Sequence, residues 1–347
     1  MLWAVLANCG VDKLPTWVKI LMVDFNQFLD FEKPVVELEK ELLSLRGIVE
    51  QGDLSRVAEV EKLQRKLQKA RDDVYGNMTA YQTVRISRHF ERPFTSNYIE
   101  SFITDFIELH GDRLFADDAA IVGGIGKFNG RPVMVVGHER GRSTQERVKR
   151  NFGMTQPEGN RKAQRLFKLA EKFKLPLLLF IDTQGAYPGL EAEARGQAEA
   201  IARCLHVLSG LKTPIISTVI GEGGSGGALA LGVCDRLLML ENSIYSVITP
   251  EGCASILWGK SDPEKVPEYA KQAAESLKVT APSLKELGIV DEVIPEPDGG
   301  AHRDFSGATE AVRGAIAKHL SELTGMPLAE MMEQRYQKFR QIGDLHS

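Results

Sequence analysis

Cysteine is scarce in this chain. The four cysteines, at positions 9, 204, 234 and 253, include no CxxC pair. That excludes a disulfide framework and a structural zinc site built from this chain alone, and it fits a reducing, cytoplasmic setting. The seven histidines stand singly and form no HExxH. No apolar run reaches the ~20 residues a membrane helix needs. The apolar start MLWAVLANCG is broken by Asp12 and Lys13, and it lacks the basic lead and the length of a signal peptide. No membrane association is therefore expected. Charge of neither sign dominates, with 43 Lys and Arg against 47 Asp and Glu, so nothing global attracts nucleic acid. A content of 43% hydrophobic and 26% charged residues excludes a largely disordered chain. At 347 residues there is room for one large or two small domains.

Apolar residues fall at Val35, Leu38, Leu42, Leu45 and Val49, and again at Val57, Val60, Leu63, Leu67, Ala70 and Val74. Steps of three and four mark one face of a helix, and Gly52-Asp53 interrupts the pattern, so a helical hairpin is predicted. Helix is expected to resume over 97–109. Beyond residue 119 the texture changes. AAIVGGIGKF and PVMVVGHE read as strands joined by an Asn129-Gly130 turn. Buried strands are predicted at 176–182, 214–221, 235–241, 244–248 and 289–294. Helices are predicted at 159–173, 191–208, just after residue 226, at 306–324 and at 327–341. Continuous apolar strands alternating with helices argue for an α/β fold with a largely parallel sheet.

Three constellations could carry chemistry. The first is Gly221-Glu222-Gly223-Gly224-Ser225-Gly226-Gly227-Ala228, which follows a buried strand and opens a helix. Glycine lets backbone N–H groups approach a ligand, and a helix start leaves such donors unpaired, so the segment suits a negative oxygen. Two other patterns overlap it. Gly221-x-Gly223-x-x-Gly226 with Glu241 twenty residues on matches a dinucleotide fingerprint, although it falls late in the domain. Gly223-x-Ser225-x-Gly227 matches the nucleophile elbow of a serine hydrolase, with His302 and His319 as candidate bases but no HGGG-like segment upstream. A plain strand-to-helix turn is the third reading. The second constellation, Asp182-Thr183-Gln184-Gly185-Ala186-Tyr187-Pro188-Gly189, also follows a strand end, where ligands gather in α/β sheets. The third is a basic stretch from Arg140 to Lys174, with eleven Lys and Arg against three Glu. It suits an anionic partner or, more plainly, a solvated helix face.

Longer motifs lie in a consistent order. They are FLDFEKP (28–34), GDR-x3-DD-x-AIVGGI (111–125), GRPVMVVGHE-x-GR (130–142), RNFGM-x-x-PEG-x-RKA (150–163), FIDTQGAYPG (180–189), GQAEAIAR (196–203), VIGEGGSGGALALG (219–232) and YSVITPEGCASILW (245–258). Over about 28–340 the chain resembles the alpha subunits of the bacterial-type acetyl-CoA carboxylase carboxyltransferase. The resemblance implies a crotonase (ClpP-like) fold with repeated ββα units. It divides the chain into a possible start extension over 1–21, a helical arm over 22–95, and a carboxyltransferase domain with C-terminal helices over 96–347. It also suggests Met22 as the initiator.

The resemblance further implies transfer of CO2 from carboxybiotin, tethered to a biotin carboxyl carrier protein, to acetyl-CoA, giving malonyl-CoA for fatty acid synthesis. The peptide N–H groups of Gly226 and Gly227 would hold the oxyanion that forms on biotin. Gly185, Ala186, Tyr187, Gly223 and Gly224 would shape the pocket. Arg142, Lys149 and Arg150 would help dock the coenzyme phosphates or the partner. A beta subunit carrying a zinc ribbon would complete an α2β2 heterotetramer, with biotin carboxylase in the full complex. Gln184, Glu191 and Ala194 depart from the family's usual Pro, Gly and Glu.

Overall fold

The computed structural model describes residues 28–259 and 262–343. The suggested extension over 1–21 and the Met22 start lie outside the described residues. Compact packing divides the chain between Met78 and Thr79.

The first unit is the predicted helical hairpin. Helix α1 (Lys33–Glu50) and helix α2 (Val57–Tyr75) bury Val35, Leu38, Leu42 and Leu45 against Leu63 and Leu67. The turn falls at Gly52, whose φ of +110° suits glycine, and Asp53 caps the next turn by accepting from the Ser55 amide. Glu39 pairs with Arg71 at 2.7 Å across the hairpin.

The second unit begins with the short helix α3 (Ala80–Ser87), so the unit boundary falls earlier than residue 95. Helix α4 (Thr95–Phe102) then passes directly into strand β1 (Ile103–Glu108). The helix expected over 97–109 is thus half strand. Asp105 at φ +52° breaks the helical geometry, and β1 pairs antiparallel with β2 (Ile121–Phe128). Strand β3 (Arg131–His138) returns through the predicted turn, with Asn129 and Gly130 both at positive φ. Helix α5 (Thr144–Lys149), helix α6 (Pro157–Phe173) and strand β4 (Leu177–Thr183) follow. The helix predicted over 191–208 is two, α7 (Leu190–Ala194) and α8 (Gln197–Gly210), parted by Gly196 at φ +83°. Strand β5 (Ile215–Gly224) runs straight into the five-residue helix α9 (Ser225–Leu229). Strands β6 (Arg236–Leu240) and β7 (Ile244–Ser246) precede helices α10 (Pro250–Leu257), α11 (Val266–Ser276) and α12 (Ala281–Glu286). Strand β8 (Glu292–Ile294) and helices α13 (Phe305–Gly325) and α14 (Leu328–Gln341) complete the unit.

The sheet order is β1-β2-β3-β4-β5-β6-β8, with β7 paired to the end of β5. The first two pairings are antiparallel and the rest parallel. The two-residue period explains why the central strands are apolar throughout. Leu177, Leu179 and Ile181 of β4 face one core with α6 and α8, while Leu178 and Phe180 face the other with α4 and α13. Both faces are covered, so ligand-accessible backbone is confined to the strand ends.

Candidate active site

The carboxyl ends of β3, β4 and β5 meet at one place. Parallel pairing sets Gly137 beside Phe180 and Thr183 beside Gly223, and Gly224 pairs onward to Ser246. The glycine-rich turn and the Asp182–Gly189 segment are therefore one site.

The turn is built by close backbone approach. A Cβ on Gly224 would lie 2.1 Å from the Gln184 carbonyl oxygen. One on Gly227 would lie 2.6 Å from the Gly185 carbonyl carbon and 2.7 Å from the Ala186 nitrogen. At Gly223 a Cβ would meet the Tyr245 ring at 2.6 Å. Ser225, with φ +49°, turns the strand into the helix. The facing loop is itself pinned. Thr183 Oγ1 donates to the Gly185 carbonyl at 2.8 Å, the Tyr187 amide donates to Thr155, and Thr155 bridges Ala186. Gly226 and Gly227 belong to the first turn of α9, so their amides have no intrahelical acceptor. No other acceptor takes them among the described residues. Ser225 is exposed, Gly226 half-exposed and Gly227 buried, so the turn reaches solvent at its tip.

A charged layer supports the turn. Asp182 Oδ1 accepts from the Glu222 amide at 3.0 Å and from Arg140 Nη1 at 3.1 Å. The Glu222 carboxylate, 1% exposed, accepts from Arg88 Nε and Nη2, and Arg88 Nη1 reaches Glu251 at 2.9 Å. Burial works against the Arg88 charge, but Glu222 and Glu251 outweigh it and hold the guanidinium firmly protonated. Arg88, Arg140 and Arg147 meet Phe90, Phe94 and Phe152 around a cavity of about 150 Å³ bordered by Gln184.

The predicted residues separate into two groups. Gly185, Ala186, Gly223, Gly224, Gly226 and Gly227 come together, and Tyr187 joins them through its backbone, its ring lying over Gly189. The basic residues are mostly spent internally. Arg142 bonds Asn97 at 2.8 Å, and Arg150 donates to the Ala119 carbonyl at 2.9 Å. Further along the stretch, Arg161 pairs with Asp112 and Glu158, and Lys162 with Asp117. Lys149 is exposed on α5, and of the eleven basic residues Arg140, Arg142, Arg161 and Lys162 meet carboxylates, while Arg147, Arg150 and Arg165 bond backbone carbonyls. Gln184 touches Gly224 through its backbone, while Glu191 and Ala194 lie in α7.

The alternative readings lack their partners. Ser225 has the strained turn of an elbow, but His319 bonds Glu292 at 2.8 Å and His302 packs its ring against His89. Glu241, the expected ribose partner, accepts from the Glu296 amide at 3.2 Å. The sequence reading did not name His138 or Arg88 as candidates, and it named Asp182, Glu222 and Arg140 only as members of their segments, with no role. His138 sits in the GHE-x-GR motif and Arg140 at its unspecified position, and nothing in that motif announces a role.

A mixed sheet with both faces covered and a backbone-lined turn at the strand ends agrees with the crotonase-like fold that the sequence motifs implied. Solved structures agree on the fold. The transcarboxylase 12S hexamer core superposes with a TM-score of 0.55 at 20% identity, covering 68% of this chain and 42% of that one. A malonate decarboxylase hetero-tetramer from Pseudomonas gives 0.50 at 19% identity, covering 63% and 84%. The chain belongs to the acetyl co-enzyme A carboxylase carboxyltransferase-like family, whose model matches residues 28–343. It is 54% identical over 316 residues to the acetyl-coenzyme A carboxylase carboxyl transferase subunit alpha of Thiobacillus denitrificans, covering 91% of this chain and 96% of that protein. The Bacillus cereus subunit of the same name is 54% identical over 317 residues, with the same coverage. Neither the hydrolase nor the dinucleotide reading gains support from these relatives.

Proposed function

We propose that this chain is the alpha subunit of an acetyl-CoA carboxylase carboxyltransferase. It moves a carboxyl group from carboxybiotin on a carrier protein to acetyl-CoA, forming malonyl-CoA. The observation that carries the reading is the pair of acceptor-free amides at Gly226 and Gly227, on a turn held by main-chain contacts. As CO2 leaves biotin, charge develops on the ureido oxygen, and amides fixed beforehand stabilise it without reorganising. One such donor contributes about 3–4 kcal/mol. The methyl carbon of acetyl-CoA loses its proton to the biotin ring nitrogen, so no side-chain base is needed.

The second oxyanion, on the thioester, is assigned to a beta subunit that carries the zinc ribbon, within an α2β2 assembly in the cytoplasm. Biotin carboxylase would recharge the carrier in the full complex. Gly185, Ala186, Tyr187, Gly223 and Gly224 are assigned to the biotin pocket, and Arg142, Lys149 and Arg150 to its coenzyme or partner side. The test is to co-purify the chain with a zinc-ribbon partner and measure malonyl-CoA formed from carboxybiotin and acetyl-CoA. Activity is expected only for the pair. Carboxyl transfer by the isolated chain would contradict the divided site.

A further inference from the structure

The loop that faces the glycine turn is tied down at Tyr187 by one side chain. Gln197 is the first residue of α8, placed there by the bend at Gly196. Its Nε2 donates to the Thr155 carbonyl at 2.7 Å and to the Tyr187 carbonyl at 3.1 Å. Two carbonyls can be met only by a donor, so the side-chain amide has one orientation. Its Oε1 then accepts from Nδ2 of Asn160, a buried residue of α6, at 3.2 Å. The Thr155 carbonyl also accepts the Tyr187 amide at 2.9 Å, and Thr155 pairs with Ala186. The Tyr187 carbonyl has no other donor among the described residues. Both main-chain polar groups of Tyr187 therefore end on the Thr155–Gln197 pair. Three segments distant in sequence are joined there: 155–160, 186–187 and the start of α8.

This clamp reaches the turn through main-chain contact. Gly227 packs on the Gly185–Ala186 peptide so closely that an added Cβ would come within 2.6 Å of the Gly185 carbonyl carbon and 2.7 Å of the Ala186 nitrogen. Packing of that kind leaves no slack, and a shift of the loop is passed to Gly227. We infer that Gln197 is a positioning residue for the oxyanion turn. It holds the 186–187 backbone at the height that aims the Gly227 amide at the developing charge. It bonds neither Gly226 nor Gly227 and acts through the loop. Both hydrogens of its Nε2 have an acceptor, and the tie brings no charge to a site where negative charge must form. The inference rests on the proposed oxyanion role of Gly227.

The test uses the chain assembled with its beta subunit, with kcat measured per active site well below the melting temperature. Gln197→Met keeps the length of the side chain and removes its donor. It is expected to lower kcat about 10- to 100-fold, with KM for acyl-CoA changed less than about 2-fold. Gln197→Glu sets a carboxylate against the two carbonyl oxygens, and protonation gives one donor back. Its kcat relative to wild type at the same pH is expected to rise at least about 3-fold as pH falls from about 8 to about 5.5. Altered packing alone would not follow pH. Gln197→Met within about 3-fold of wild-type kcat, a larger change in acyl-CoA KM than in kcat, or a Gln197→Glu ratio that stays flat with pH would overturn the inference. An inactive wild-type complex would instead refute the functional reading on which it rests.

Discussion

Replacing Gly227 with Ala adds one methyl group where there is no space for it. The new Cβ would sit 2.6 Å from the Gly185 carbonyl carbon, 2.7 Å from the Ala186 nitrogen and 2.9 Å from the Gly185 oxygen, while ordinary contact begins near 3.4 Å. Something must therefore move by about 1 Å. The three atoms are backbone, and their loop is pinned by Thr183 Oγ1 and by the Thr155 bridge to Ala186. The displacement falls on the turn and carries the Gly227 amide away from the oxyanion. A misplacement of that size costs about 100-fold, and loss of the donor about 100- to 1,000-fold in kcat. Gly226 is the internal control. Its added Cβ would meet only the Ile201 side chain, tightest at 3.2 Å from Cδ1, the far end of a flexible side chain, with Cγ2 at an ordinary 3.8 Å. Gly226→Ala should stay within about 10-fold of wild type, since both amides remain in place. Overpacking should also lower the stability of Gly227→Ala by about 1–3 kcal/mol. The assay is malonyl-CoA formation by the assembled complex, with urea denaturation run alongside. Gly227→Ala keeping more than a tenth of its activity, or Gly226→Ala proving the worse of the two, would refute this reasoning.

Ser225→Ala should retain activity to within about 10-fold, because its hydroxyl takes no part in the chemistry; complete loss together with labelling by a fluorophosphonate would instead point to a hydrolase. Asp118 is buried, and burial raises its carboxyl to about 6 despite bonds from the Ala120 and Gln156 amides. The folded value lies above the unfolded 3.8, so stability is full below pH 4 and falls by about 3 kcal/mol as pH rises to 6. Calorimetry from pH 4 to 7 should show wild type losing stability relative to Asp118→Asn, and parallel curves would refute it. Arg335 is buried between Asp235, at 2.7 and 2.9 Å, and the carbonyls of Leu208, Leu211 and Thr213. Arg335→Leu strands that carboxylate and should destabilise by about 3–5 kcal/mol in urea titration, and a loss under 1 kcal/mol would contradict the assignment. Arg140→Met should lower kcat by about 10-fold or more, Arg140→Lys should lose less, and adding Asp182→Asn to Arg140→Met should restore part of the loss. A double variant no better than the single would show that Asp182 is not the group being screened.

The strands and the long helices were legible because their periods are unambiguous. Leu177 to Ile181 is apolar on both faces, and only a strand covered by helices on each side needs that. The glycine turn was legible because Gly224 and Gly227 have no room for a Cβ. The junction at residue 103 was not. Ile99, Ile103 and Ile107 continue a helical spacing, and only pairing with β2 makes 103–108 a strand. Tertiary pairing there overrides a local pattern. The basic stretch misled for a related reason. Counting charge along the chain cannot show that Arg161 and Lys162 turn toward Asp112 and Asp117, some fifty residues earlier.

The site residues that went unread share a further cause. When the main chain carries the chemistry, side chains matter through what they do to the field at the turn. Asp182 and Glu222 are carboxylates buried beneath the amides we assign to the oxyanion, and alone they would oppose that role. Arg140 and Arg88 neutralise them at hydrogen-bond distance, while the Asp182 carboxylate is still free to hold the Glu222 amide and the edge of β5 in place. The pairs thus let rigid, polar ties be built under an anion site without an adverse potential. The groups nearest the turn are either locked in ion pairs or, as with His138, held neutral by burial.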